Sequence, residues 1–117
     1  MSTVLVVDDD PDTRVLVGKR LSKAGHAVLF ADCGGDGVNR TFSDHPDLVL
    51  MDIRLVTFDG LAAAGLLRQL GYRGIIVALT ALPPQPYQAR AIKAGCNDFI
   101  GKPIGRDFEA RLAVLLR

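Results

Sequence analysis

Five polar residues stand directly after apolar runs in this chain, and their types suit phosphoryl chemistry. Asp8 and Asp9 follow Val4-Leu5-Val6-Val7, and Asp52 follows Leu48-Val49-Leu50-Met51. Thr80 follows Ile75-Ile76-Val77-Ala78-Leu79, and Lys102 comes just after the weaker run Phe99-Ile100. Three carboxylates brought to one place repel each other, which favours either a raised pKa on one of them or a bound cation. Oxygen ligands without histidine or thiolate point to Mg²⁺. A lysine opposite them and a small hydroxyl residue complete a cradle for phosphoryl oxygens. Phosphoryl transfer requires little more of a protein than positioning, a divalent metal and a balancing cation.

These residues meet only if the runs before them lie side by side. The four strong runs, with Ala27-Val28-Leu29-Phe30-Ala31 among them, are apolar throughout where an alternating pattern would mark a sheet with one wet face. Such runs fit strands covered on both faces, as in a parallel sheet. Between them lie segments of helical spacing: Val17, Leu21 and Ala24; Leu61, Ala64, Leu67 and Leu70; Phe108, Leu112 and Leu115. Asp10-Pro11 predicts a helix start, with a capping carboxylate and a proline in the first turn. Gly25 and Gly71 fall where helices should stop. Strand and helix thus alternate five times, which predicts an α/β fold around a parallel sheet. In an open sheet of this kind ligands bind beyond the carboxyl ends of the strands. All five polar residues fall there.

Composition bounds the function. A chain of 117 residues fits one domain. Fourteen basic against thirteen acidic residues leave a net charge of +1, so no basic surface argues for nucleic acid or an anionic membrane. The apolar runs are too short to span a bilayer, and the N-terminus lacks the pattern of a signal peptide. Cys33 and Cys96 have no C-x-x-C spacing, which suits reduced thiols in a cytoplasmic protein. The chain shows no internal repeat or low-complexity tract. Its irregular stretches are Cys33-Gly34-Gly35-Asp36-Gly37 and Pro83-Pro84-Gln85-Pro86.

The ordered set Val6-Val7-Asp8-Asp9, Pro46-Asp47-Leu48-Val49-Leu50-Met51-Asp52, Asp59-Gly60, Leu79-Thr80-Ala81, Ala94-Gly95 and Lys102-Pro103 resembles the receiver domains of bacterial response regulators. The resemblance covers nearly the whole chain. It implies a flavodoxin-like doubly wound (βα)5 fold with strand order 2-1-3-4-5. It also implies a signalling switch in a two-component system or phosphorelay, with Asp52 taking a phosphoryl group from a sensor histidine kinase or a histidine phosphotransfer protein. Asp9 would then ligate Mg²⁺ directly, Asp8 would assist, and Asp52 and the backbone carbonyl of Arg54 would complete the protein ligands. Lys102 would pair with Asp52 at rest and with a phosphoryl oxygen afterwards. Thr80 would swing to the phosphoryl group, Phe99 would be the aromatic that turns inward with it, and Ala81 would keep access open. The family's usual cis peptide would fall at Lys102-Pro103.

Taken singly, these residues have simpler readings. Asp10 caps the first helix, Thr80 could be a strand end, Lys102 a solvated charge and Phe99 a packed aromatic. His26 and His45 read as exposed turn residues, Asp98 as a surface residue before the last strand, and Asp32, Asp36, Asp44 and Asp47 as solvated or capping groups. Two departures from the family pattern stand out. Leu55 and Val56 replace the usual Met-Pro after the acceptor. Pro83, Pro84 and Pro86 should delay the fourth helix until near Pro86, from where it would run through Tyr87 to Ala94 and alter a face that many receivers use for dimers or signalling. Arg54 and Leu82 occupy variable positions that tune phosphoryl hydrolysis in the family, and bulk there should shield the acyl phosphate.

Two other classes compete. A flavodoxin-like FMN binder needs a hydroxyl- and glycine-rich phosphate loop after the first strand, where Asp8-Asp9-Asp10-Pro11 stands instead. An aspartate-nucleophile phosphatase could use Asp8 and Asp10, which have the D-x-D spacing of its D-x-D-x-T motif, with Thr13 further on, but that leaves Asp52, Thr80 and Lys102 without a role. The sequence is therefore expected to form one receiver domain over residues 1–117, not a conventional enzyme, with Met1 as a natural start. A downstream target protein or a missing C-terminal output domain would read its state.

Overall fold

A computed structural model describes residues 2–54 and 59–117; the substitution of Leu55 and Val56 for Met-Pro lies outside the described residues. Strand and helix alternate through β1 (Thr3–Val7), α1 (Pro11–Lys23), β2 (Ala27–Ala31), α2 (Gly34–Asp44), β3 (Leu48–Met51), α3 (Gly60–Gln69), β4 (Ile75–Thr80), α4 (Pro84–Ala94), β5 (Asp98–Gly101) and α5 (Phe108–Leu115). The strands pair in parallel in the order β2-β1-β3-β4-β5, as expected.

Alternate residues of each central strand feed two separate cores, as the two-residue period of a strand requires. Val4, Val6, Leu48, Leu50, Val77 and Leu79 pack with Val17 and Leu21 of α1 and Phe108 and Leu112 of α5. Leu5, Val7, Val49, Met51, Ile76 and Ala78 pack on the other face with Val38 of α2, Ala63, Ala64 and Leu67 of α3 and Ala91 of α4. Helices therefore cover both faces, and this explains strands without polar alternation.

Local chemistry sets the helix ends. Asp10 caps α1: its carboxylate accepts from the Asp12 N–H at 3.0 Å and the Thr13 hydroxyl at 2.9 Å. Asp59 caps α3 by accepting from the Leu61 N–H at 2.8 Å. Gly25 and Gly71 follow α1 and α3 at positive φ, as their positions predicted. Ala24 and Leu70 lie just past the helices, and Leu70 is 57 % exposed, so neither extends the buried stripe. The prolines act nearly as expected. The bounds of α4 begin at Pro84, but Gln85 has extended dihedrals, so regular helix starts at Pro86. The Gln85-Pro86 and Lys102-Pro103 bonds are both cis.

Two expectations about surface residues need correction. His26 is half-buried, with its Nδ1 buried and without a partner, because it lies between the end of α1 and the start of β2. Asp98 is the first residue of β5, where its carboxylate meets Arg111 of α5 at 2.9 Å. No helix among the described residues is long and apolar enough to cross a membrane.

Candidate functional site

Parallel pairing brings the ends of β1, β3, β4 and β5 to one edge, and with them the sequence-predicted residues. The β1–β3 register sets Val7 beside Met51, so Asp8 and Asp52 leave the sheet together. The Asp52 N–H completes that ladder on the Val7 carbonyl at 2.9 Å. Thr80 pairs with Gly101, which delivers Lys102 next to the carboxylates.

Carboxylate oxygens of Asp8, Asp9 and Asp52 lie within 4.8 Å of one another. Asp8 and Asp52 are buried, while Asp9 is exposed. Lys102 joins the two buried groups: its Nζ donates to Asp8 Oδ2 at 2.7 Å and to Asp52 Oδ2 at 3.2 Å. The resemblance implies a resting pair with Asp52, and the shorter bond, to Asp8, is an added finding. The other oxygen of each carboxylate takes a backbone donor, Asp10 N–H on Asp8 Oδ1 and Arg54 N–H on Asp52 Oδ1, both at 2.9 Å. Two short turns thus aim one oxygen of each carboxyl group, and Lys102 holds the other from across the sheet.

Burial pushes the Asp52 carboxyl above the usual range, although the Arg54 N–H and the Lys102 charge pull the other way. Burial alone would lower the Lys102 ammonium, but its bond to Asp8 and the charges of Asp52 and Asp8 outweigh it and hold Lys102 above its ordinary value. A surplus of negative charge in a partly dry crevice, presented as oxygen ligands alone, fits a hard divalent cation.

Thr80 is fully buried and its Oγ1 accepts from the Leu82 N–H at 3.2 Å. Phe99 is buried in the core beneath α4. Ala81 is exposed beside Lys102, on a small apolar cavity of about 290 Å³ that also touches Leu16, Pro103 and Ile104. Arg54 and Leu82 line a wider cleft of about 590 Å³ with Asp59, Leu61, Tyr87 and Arg90. Asp10 belongs to the helix cap, with both oxygens engaged by Asp12 and Thr13. It is therefore not placed as a general acid beside Asp8, which removes the main support for the phosphatase alternative.

Arg14 was missed by sequence reasoning: its guanidinium donates to the Asp8 carbonyl at 2.7 Å and holds the turn that presents both β1 carboxylates. Its place one turn into α1, below the cap, was the available signal.

The model of the response regulator receiver domain matches residues 4–112. The chain belongs to that family. Receiver domains of this kind are phosphoacceptor switches of two-component signalling. The chain is 34 % identical over 115 residues to the response regulator MprA of Mycolicibacterium vanbaalenii, covering 97 % of this chain and 50 % of that protein. It is 30 % identical to the alkaline phosphatase synthesis transcriptional regulatory protein PhoP of Bacillus subtilis, covering 97 % and 48 %. The chain thus spans about half the length of these curated relatives. Among solved structures it superposes on the BeF3-activated N-terminal receiver domain of Klebsiella pneumoniae RstA with a TM-score of 0.93, at 31 % identity and 98 % coverage of both chains. It also matches Thermotoga maritima TrrA, solved in complex with Mg²⁺-BeF, with a TM-score of 0.87, at 28 % identity over the full length of both.

Proposed function

We propose that Asp52 is the phosphoacceptor of this receiver and that Mg²⁺ is its cofactor. The observation that carries this reading is the half-buried Lys102 ammonium shared between the buried Asp8 and Asp52, with Asp9 within reach of both carboxylates. Asp52 Oδ2, released from its long bond to Lys102, attacks the phosphorus of a phosphohistidine, a P–O bond forms, the P–N bond breaks, and the imidazole leaves. Asp8, Asp9, Asp52 and the Arg54 carbonyl would hold Mg²⁺, which draws charge from the phosphoryl oxygens when bound. That TrrA was solved with Mg²⁺-BeF supports the choice of metal. Lys102 then exchanges its longer bond, to Asp52, for one to a phosphoryl oxygen while keeping Asp8 as counter-ion. Thr80 gives up the Leu82 N–H and donates its hydroxyl to the phosphoryl group. Phe99, buried in this structure while Thr80 still accepts from Leu82, would be the aromatic that responds when Thr80 moves.

The domain catalyses its own phosphorylation and hydrolysis, and acts in the cytoplasm. Its donor is a sensor histidine kinase or histidine phosphotransfer protein. The state of Asp52 is read by a downstream protein or by a C-terminal output domain such as the other half of its relatives would supply. Binding of that reader to one of two conformations sets the response.

Intact-mass measurement after incubation with a small phosphodonor and Mg²⁺ tests the reading. One added phosphoryl group is expected, lost in Asp52→Asn and on chelation. A phosphoryl group that persists in Asp52→Asn would place the acceptor elsewhere.

A further inference from the structure

Lys102 is held at its front by two carboxylates, but the loop behind it must also be fixed. Residues 102–107 join β5 to α5, and a loop of this length has many conformations unless tied. At its head the Lys102 N–H donates to the Thr80 carbonyl at 2.8 Å. At its far end the carbonyl of Gly105 accepts from Nη2 of Arg20 at 2.8 Å. Arg20 comes from the last turn of α1, a different element from the strand that holds the loop's head. Its guanidinium is itself fixed three ways. Nε donates to Glu109 Oε2 at 2.8 Å, Nη2 also meets Glu109 Oε1, and the group lies over the Phe108 ring with its carbon 5.5 Å from the centroid. One side chain thus ties α1, the β5–α5 loop and the first turn of α5 together. The planar fork of arginine can satisfy Glu109 and Gly105 at once, whereas an ammonium on a flexible stem presents no such fixed pair.

We propose that Arg20 is a positioning residue for Lys102, clamping the loop through Gly105 so that Nζ stays between Asp8 and Asp52. The proposal rests on the reading of Lys102 and Asp52 above and extends the reacting constellation to a residue 85 positions away in sequence from the carbonyl it holds. Arg20 touches neither substrate nor metal and acts only by restricting where Lys102 can go. A clamp of this kind matters most while the phosphoryl group transfers, because misplacement of about an ångström at a reacting group can cost orders of magnitude in rate.

Arg20→Lys separates the clamp from simple charge pairing, since it keeps a cation for Glu109 and loses the fork to Gly105. Phosphorylation by acetyl phosphate with Mg²⁺ is followed in the wild type, Arg20→Lys, Lys102→Ala and the double variant, alongside thermal unfolding and amide hydrogen exchange. We expect Arg20→Lys to slow phosphorylation about three- to tenfold and to speed exchange at Phe108, with Tm nearly unchanged. In the Lys102→Ala background the same substitution is expected to have no further effect on rate, because its target is gone. Equal rates in Arg20→Lys and the wild type, or a rate loss that persists in full in the Lys102→Ala background, overturn the positioning role while leaving Asp52 as acceptor. A wild type that takes no phosphoryl group overturns the reading of Asp52 and this inference with it.

Discussion

The two edges of the sheet use polar groups in opposite ways. At the carboxyl edge, Asp8, Asp9 and Asp52 crowd together with Lys102 as the cation that bonds two of them, and Asp52 is held above its normal pKa by burial. At the amino edge, a single arginine closes the structure. Arg68, near the end of α3, donates to the carbonyls of Gly95, Tyr72 and Gly74 at 3.0, 2.8 and 2.7 Å and to Asn97 Oδ1 at 2.8 Å. The same Asn97 oxygen takes the Ile76 N–H at 2.9 Å, and the Tyr72 hydroxyl donates to the Pro46 carbonyl at 2.8 Å. One edge leaves charge unbalanced where a ligand can balance it. The other satisfies the polar groups around Arg68 internally, so that β3, β4 and β5 start from a fixed platform. The difference separates reactivity from stability along a sheet only a few residues long.

Asp52→Asn should break the comparison at the reactive edge with the largest effect. Phosphorylation by mass measurement is expected to vanish, yet chemical denaturation should find the variant as stable as the wild type or more so at pH 7. The fold disfavours the ionised Asp52, and removing that charge relieves its repulsion with Asp8. A substantial loss of stability would mean that the carboxylate cluster supports the fold.

Arg68→Met should do the reverse. It leaves three backbone carbonyls and the Asn97 side chain short of a donor, at a cost of about 2 to 4 kcal/mol for a partly buried hydrogen-bonded charge. Denaturant midpoints should fall accordingly, while the folded fraction still accepts phosphoryl at close to the normal rate. A rate loss without a stability loss would show that the two edges are coupled.

The reactive edge was the more legible of the two in the sequence. Asp8, Asp9, Asp52, Thr80 and Lys102 each follow an apolar run, and strand ends are local signals. The Asp10-Pro11 cap, with both partners inside one turn, was equally plain. The strand order came from the family resemblance, because runs of similar composition do not say which neighbours pair. Arg68 and Arg20 gave only a weak hint, a cation in the last turn of a helix. Their partners lie up to 89 residues away, and no local pattern distinguishes a clamping arginine from a solvated one. Asp98 was misread for the same reason, since Arg111 belongs to a different element. Gly60 shows how a small residue can hide a constraint: a Cβ there would strike the backbone carbonyl of Asp52, so α3 must approach the acceptor as bare backbone.

Alkaline pH should sharpen the comparison, because two acids whose pKa values are raised by burial, Cys96 and Tyr72, sit at the amino edge. Burial pushes the Cys96 thiol up to about 11 and the Tyr72 phenol to about 12. Both are raised, so the folded state holds its protons longer than the unfolded state. Stability is complete below the unfolded value of each group and falls as pH rises toward the folded one. Unfolding free energy should therefore decline from about pH 9, with Cys96 alone responsible for roughly 2 to 3 kcal/mol by pH 11. Cys96→Ala is expected to flatten the first part of that decline in denaturation curves taken from pH 8 to 11. An unchanged slope would assign the alkaline loss to other groups.

The smallest effect concerns the lifetime of the phosphoryl group. Arg54 and half-buried Leu82 line the cleft beside Asp52, and Leu82 also gives its N–H to the Thr80 hydroxyl oxygen. Hydrolysis needs a water to approach the phosphorus from the side opposite Asp52, and side-chain bulk at the cleft restricts that approach. Truncation to alanine removes the bulk without touching the backbone bonds to Asp52 or Thr80. Dephosphorylation of Arg54→Ala and Leu82→Ala, followed after removal of the donor, should be about two- to fivefold faster than in the wild type, equivalent to less than about 1 kcal/mol in the barrier. Leu82→Ala is expected to show the larger change, since an apolar side chain excludes water while an exposed guanidinium holds it. No acceleration in either variant would mean that the cleft does not gate water, and that the reactive edge sets its phosphoryl lifetime through Asp8, Asp9 and Lys102 alone.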